Sequence, residues 1–438
     1  MNIPVLFILL FLGFTRLLHA QSFDPGLAAT LQQKIDSIRT ANNLKGISAG
    51  VYHPEMGTWQ GVSGMSHAGN PITPGMLFGI ASNTKLFTAV LLLKLSESNI
   101  LHLDDSLHQY LPAYPNIDSS ITIRQLLNHT SGLYDVTSVP GYPDSMLTDP
   151  NRIFTAPELM TWTGLPSFPA GTGWEYCNTN YLLAAMIAES ATGKSYSQLL
   201  RDSILTPLQL DSTFLDVYEE LLYPVANPWQ NGFNNFAIPR TSVNSAAWAA
   251  GAMYSTSSEM IQWYRALMNG LVLQPQSFIE MTTFVGSGNY GTGISETVVN
   301  GRTVWTHGGA IWGGYSSNMM YDTETGIIIC VLINQFPAQA FQLSALLHST
   351  ATSFVVNLPE NTFDAAIQPM YPNPTNGSVT TDIPDRDIRH ISLYHANGQL
   401  LATFRQNSFS LEAYPAGMYM VGVETTAGSY RYKIIKQP

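Results

Sequence analysis

The sequence predicts two folded parts, a large mixed α/β domain of enzyme size and, behind it, a small all-β sandwich. Three observations carry that reading. The chain has 438 residues, whereas single cores stop growing near ~250–300 residues. Hydrophobic residues make up 45% and aromatics 11%, enough to bury a large core and to exclude a disordered or collagen-like chain. Near residue 358 helical runs and Gly- or Pro-punctuated loops give way to short alternating strands. The expected divisions are a signal segment over 1–20, a main domain over 21–357, a linker over 358–370 and a sandwich over 371–438.

In chain order, the apolar run from Ile3 to Phe14 with small Ala20 before Gln21-Ser22 reads as a cleavable secretion signal. No Lys or Arg precedes that run, and Leu18 stands where a small residue is usual. Ile47–Val51 reads as a strand. The clearest helix runs from Ser82 to Ser98; Leu86 through Leu93 is apolar except at Thr88, so it is expected to be central. Further helices fit Ile123–Leu127, Tyr181–Ala191 and Ser257–Met268, and strands fit Tyr315–Tyr321 and Gly326–Asn334. Tyr134–Pro150 and Tyr223–Pro239 resist assignment; their Pro, Gly, Asn and aromatic residues fit either pocket-walling loops or exposed loops without a role. The tail reads as strands at Ile391–Tyr394, Gln399–Phe404, Gly417–Val423 and Tyr430–Ile435, with Asn397-Gly398 as the strongest hairpin turn.

Charge narrows the functional classes. Lys plus Arg number 19 against 30 Asp plus Glu, a net charge of −11, and no basic run exists to hold nucleic acid. No segment after the first approaches the ~18–20 apolar residues of a membrane span. Cys177 and Cys330 are the two cysteines. Cys330 lies in an apolar strand-like run, which favours a buried free thiol over a disulfide.

Three short patterns carry chemistry. In Ser82-Asn83-Thr84-Lys85, three helical residues turn the chain by about 300°, so Ser82 and Lys85 share a face. A lysine entering an apolar helix loses solvation, its pKa falls, and it can accept a serine proton. In Tyr176-Cys177-Asn178, a tyrosine and an asparagine one position apart can relay a proton and donate an amide hydrogen bond. In His307-Gly308-Gly309-Ala310, glycines beside a strand admit a substrate backbone, and the histidine offers a polar or cationic contact. Each has a bland counterpart: an N-cap serine with a surface lysine, a packed loop tyrosine, and a turn holding a satisfied histidine.

Taken in this order, the three patterns resemble the serine β-lactamase and penicillin-binding-protein family, in its class C, D,D-carboxypeptidase and esterase branch. The blocks Leu77–Ser82, Leu103–Asp105 with Tyr110–Pro112, Ile121–Leu133, Tyr176–Tyr181 and Gly251–Thr256 extend the likeness from about Asp36 to Asn334. The resemblance implies an antiparallel sheet flanked by helices plus a helical subdomain, with the site between them. It implies Ser82 as acylated nucleophile, Lys85 as base and Tyr176 as partner in proton transfer. Asn178, His307, Gly308 and Gly309 would bind substrate, and the backbone N–H groups of Ser82 and Ala310 would form the oxyanion hole. No metal or other cofactor is implied. Two departures stand out. Cys177 replaces a frequent serine, and His307 stands where many members have lysine. Loss of that permanent cation points toward a peptidase or esterase rather than a dedicated β-lactamase, and a cationic His307 would raise activity on carboxylate substrates below about pH 6.5.

Tyr371-Pro-Asn-Pro-Thr-Asn-Gly377, Leu393–Gln399, Gly417–Val421 and Lys433–Gln437 resemble the C-terminal sorting domain of the type IX secretion system. Together the resemblances imply a secreted or surface serine hydrolase that engages secretion machinery through its tail. Its substrate would be a D-amino-acid peptide, an ester, a lactone or a β-lactam. The rival expectation is a non-catalytic surface receptor of the same fold that binds penicillin or peptidoglycan fragments.

Overall fold

The computed structural model describes residues 23–354, 370–373, 375–395, 400–425 and 429–437. The expected signal segment, the linker apart from Met370, and the Asn397-Gly398 turn lie outside the described residues. Contacts divide the chain into a unit ending at Phe354 and a unit from Val355 onward.

The first unit is built on a seven-stranded sheet. Its strands are β1 (Gly46–His53), β2 (Gly57–His67), β3 (Asn70–Pro71), β4 (Ser295–Val299), β5 (Arg302–Ile311), β6 (Tyr315–Asp322) and β7 (Ile328–Ile333). The spatial order is β3-β2-β1-β7-β6-β5-β4, every pair antiparallel. The register sets Ile47 opposite Ile333, so the first and last strands of this sheet meet at its centre. β7 is buried along its whole length, which explains its unbroken apolar text. Cys330 on this strand and Cys177 are both free and buried.

Helices cover both faces of the sheet. On one face, a Cβ at Gly61 would strike Gln32 of α1 (Pro25–Ala41), and α6 (Ala340–Ser353) packs beside α1 and β7. On the other face, Ser48 Oγ lies 2.9 Å from Ser257 Oγ, at the start of α5 (Ser257–Met268). The central α2 (Thr84–Glu97) packs against α3 (Asn178–Thr192) and α4 (Thr241–Gly251) to form the helical part. Every residue of α2 from Thr84 to Leu93 is buried, and each large apolar side chain there contributes about 1.5–3 kcal/mol by leaving water. The Thr88 hydroxyl inside this run donates to the Ala249 carbonyl at 2.7 Å and lies 2.6 Å from Tyr196 Oη.

Three sequence expectations need correction. The helix expected from Ser82 starts at Thr84, because Ala81–Asn83 forms a 3₁₀ turn. The helix expected from Tyr181 begins at Asn178, so Asn178 lies in its first turn. Tyr134–Pro150 holds a helix over Tyr142–Thr148, where Pro143 at the first turn starts the helix instead of breaking it. Tyr223–Pro239 is irregular except for the short paired segments Trp229–Gln230 and Phe233–Asn234.

The second unit is all-β. β8 (Ile388–His395), β9 (Leu400–Phe404), β10 (Gly417–Thr425) and β11 (Ser429–Lys436) form one antiparallel sheet in the order β9-β8-β10-β11. Ser378–Thr380 pairs with Ser408–Ser410 as a second, two-stranded sheet. Ile391, Leu393, Val421, Val423 and Ile434 give this unit its own core. Among the described residues no helix is long and apolar enough to cross a membrane.

Candidate active site

Ser82 sits half-buried at the turn that feeds α2. The residue before it, Ala81, has φ 49°, a left-handed conformation that costs a residue with a Cβ roughly 1–3 kcal/mol. Packing holds the turn in place. Asn83 Nδ2 donates to Ser317 Oγ at 2.9 Å, and Ser317 Oγ donates to the Ile80 carbonyl at 2.7 Å. Both bonds tie the turn to β6.

Lys85, one turn on, is completely buried. Its Nζ donates to Asn178 Oδ1 at 2.7 Å and to the Ala250 carbonyl at 2.8 Å, and lies 3.2 Å from Ser82 Oγ. Ala250 is available because Trp248 breaks helical geometry within α4 (φ 33°, ψ −119°), just before the carbonyls of Ala249 and Ala250 meet α2. Burial draws the Lys85 pKa down to about 7, against an opposing pull from Asp135. A neutral amine has two protons and one lone pair. With both protons committed to Asn178 and Ala250, the lone pair is left for Ser82.

Tyr176 and Asn178 close the other side. Lys85 Nζ lies 4.9 Å from the centre of the Tyr176 ring. Burial pushes the phenol's pKa well up, and a hydrogen-bonding interaction with Ser82 opposes it, so Tyr176 is protonated in the resting site. Asn178 presents its oxygen to Lys85 and donates Nδ2 to Asp135 Oδ2 at 2.9 Å. His129 braces the turn from behind: its Nδ1 accepts from the Cys177 amide at 3.1 Å and from Asn180 Nδ2 at 3.0 Å, and its ring lies 4.5 Å from that of Tyr176.

β5 forms the third wall. A Cβ at Gly309 would come within 2.3 Å of both the Ile80 carbonyl and Ser317 Oγ, so only glycine lets the strand approach the Ser82 turn. At Gly308 the nearest atom would be Asn318 Nδ2 at 4.0 Å, which leaves an open face, and Ala310 is exposed beyond it. His307 differs from expectation. It is buried, its Nδ1 lies 2.7 Å from the Gly308 carbonyl, and Tyr290 Oη lies 2.8 Å from Nε2. The carbonyl fixes the proton on Nδ1, so Nε2 accepts from Tyr290. Burial and nearby Lys85 take its pKa down to about 3. The cationic contact considered for His307 is therefore absent near neutral pH, because the ring is neutral and both nitrogens are engaged.

The description of the β-lactamase family matches residues 31–351, well over half of the chain. The chain belongs to the β-lactamase family. It therefore joins a family of serine hydrolases whose fold it shares with penicillin-binding proteins and D-amino-acid amidases. A second match covers residues 369–437 and is described as a secretion system C-terminal sorting domain, which indicates export to the cell surface or exterior. Penicillin-binding protein 4* of Bacillus subtilis is 36% identical over 160 residues, 35% of this chain and 33% of that protein. The chain spans about half or less of the length of the first curated relatives it matches. Solved structures cover more. A D-stereospecific amidohydrolase from Streptomyces superposes with a TM-score of 0.64 at 29% identity, covering 72% of this chain and 97% of that one. D-amino acid amidase from Ochrobactrum anthropi gives a TM-score of 0.66 at 27% identity, with 75% and 98% covered.

The structure thus brings Ser82, Lys85, Tyr176 and Asn178 together and sets Gly308 and Gly309 on the facing strand, while His307 forms part of the wall. Sequence reading gave no role to Asp135, His129, Tyr290 or Ala250. Asp135 and His129 stood in or beside segments already singled out. Tyr290 and Ala250 carry no local signal, since one acts through its hydroxyl and the other through a carbonyl turned by a distant helix break.

Proposed function

We propose that this exported protein hydrolyses amides, peptides or esters of D-amino acids through an acyl-enzyme on Ser82. The single observation that carries the proposal is the Lys85 amine, buried and 3.2 Å from Ser82 Oγ with its other two contacts spent on fixed oxygens. Ser82 Oγ attacks the substrate carbonyl as its proton passes to Lys85. The tetrahedral oxyanion is held by the N–H groups of Ser82 and Ala310, each such donor being worth ~2.7–4 kcal/mol. Tyr176 passes a proton to the leaving amine or alcohol as the C–N or C–O bond breaks and regains one from Lys85. Water then attacks the ester, gives up a proton through the same groups, and the acid leaves with Oγ restored. A neutral His307 and the likeness to a D-stereospecific amidohydrolase and a D-amino acid amidase favour amidase, peptidase or esterase chemistry over a dedicated β-lactamase. Export to the surface through the type IX route fits a substrate met outside the cell.

The test is intact mass after brief exposure to a penicillin and to an activated D-amino-acid ester, beside Ser82→Ala. Ser82-dependent adduct or turnover is the expected outcome. A folded wild-type protein that shows neither, or a Ser82→Ala protein that matches it, would sink the proposal.

A further inference from the structure

The two stretches that the sequence leaves unassigned meet at a cavity of about 190 Å³: Leu147 comes from the helix Tyr142–Thr148 in one, and Pro228, Gln230 and Ile238 from the other. The start of α4 supplies another wall, and Trp312-Gly313 lies just beyond the Ala310 end of β5. Among the described lining residues Arg240 is the one cationic side chain, and no carboxylate lines the cavity. Arg240 Nε donates to Asp216 Oδ2 at 3.1 Å, and its guanidinium lies 5.4 Å from the centre of the Tyr254 ring. Asp216 is tied down further by Asn244 Nδ2. A guanidinium has five N–H groups; Asp216 holds the one on Nε, and neither Nη makes a hydrogen bond among the described residues. Gln230 is similar. Its Oε1 accepts from the Gly313 amide at 2.8 Å, while its amide nitrogen bonds nothing among the described residues.

The cavity and the Ser82 turn both lie against α4. Val243 lines the cavity, Ala247 follows one turn later, and a Cβ at Gly251, four residues further, would stand 3.7 Å from the Ala81 carbonyl carbon. From Val243 to Ala247 the helix rises ~6 Å, and the break at Trp248 turns the chain before Gly251.

From these observations we propose that Arg240 binds a carboxylate carried at the far end of the substrate's acyl group, with the Gln230 amide as a second donor. The proposal rests on Ser82 being the nucleophile. The substrate class is then peptidyl or alkanoyl groups with a terminal or side-chain carboxylate several bonds beyond the scissile carbonyl. A planar guanidinium edge suits that anion by bidentate contact. The cation missing at position 307 is thereby supplied from another direction.

The test uses the full chain and p-nitrophenyl esters of ω-carboxyalkanoic acids of graded length, each beside the matched alkanoate. Wild type is expected to favour the carboxylate ester at the spanning length. Arg240→Gln combined with Asp216→Asn, which leaves no unpaired buried carboxylate, is expected to lower the carboxylate-to-alkanoate ratio of kcat/KM about 10- to 100-fold, chiefly through KM. An unchanged ratio overturns the proposal. If no ester is turned over and Ser82→Ala behaves like wild type, the nucleophile assignment fails. Calorimetric binding of the matching free dicarboxylate to Ser82→Ala protein, with and without the Arg240 and Asp216 changes, then decides Arg240 separately. Loss of binding in a variant that melts like its parent supports it, and equal binding overturns it.

Discussion

At the scale of single residues, the proposed mechanism depends on withholding solvent from Lys85. Its pKa near 7 means that kcat/KM should fall as pH drops through about 7, because the protonated amine can no longer accept the Ser82 proton. His307 cannot offset that fall. Its pKa is lowered, so it stays neutral through pH 5–7, and the preference for carboxylate over neutral substrates should be flat across that range. Parallel pH profiles on the paired esters check both statements; a rise in that preference below pH 6.5 would restore a cationic role to His307. Asp135→Asn keeps an acceptor for Asn178 but removes the charge that raises the Lys85 pKa. The acid limb should therefore move to lower pH. The Ser82 and Lys85 pairing was legible in the sequence, because three residues on a helix share a face and an apolar helix announces desolvation. His307 was legible only as a residue type. Its state depends on Tyr290 and on the adjacent Gly308 carbonyl, and no spacing rule contains either.

At the scale of elements, the site is a seam between the turn before α2 and strand β5. Gly309→Ala would drive a Cβ into the Ile80 carbonyl and Ser317 Oγ. We expect a loss of about 1–3 kcal/mol from overpacking and of roughly 100-fold in kcat from displacement of Ala310 relative to Ser82. Gly308→Ala, one residue away on the open face, should leave the melting temperature unchanged, since its Cβ meets only Asn318 Nδ2 at 4.0 Å. Thermal melts of the two variants together test the seam; equal melting temperatures would remove it. Helices were legible wherever one apolar run filled a buried cylinder, as in α2. The strands β2, β4 and β5 were not: β2 buries Gly61 and Ser63 where large apolar residues would mark an alternation, β4 is mostly half-buried, and Gly308-Gly309 interrupt β5. The helix over Tyr142–Thr148 is hidden in the sequence because a proline such as Pro143 marks a helix start and a helix break alike.

At the scale of the whole molecule, each unit has its own apolar core. A chain ending at Phe354 should keep the melting transition and Ser82-dependent labelling of the full protein, and calorimetry of both forms measures this; loss of the transition on truncation would show that the first unit needs the second. The composition shift near residue 358 made this division visible, since a change of period from helical to alternating needs no tertiary information. The strand order did not share that visibility. Ile47 pairs with Ile333 in the middle of the sheet, so the pairing that completes the first unit joins residues almost its full length apart. Contacts so distant in sequence carry a large loop-closure cost before they are rewarded, and they slow folding. A ribosome or a translocation pore that has delivered only the first three strands has delivered no closed sheet. Until β7 emerges, β1 lacks its central neighbour. The topology that completes the sheet thus also delays the fold, which leaves an exported chain threadable until most of it has passed.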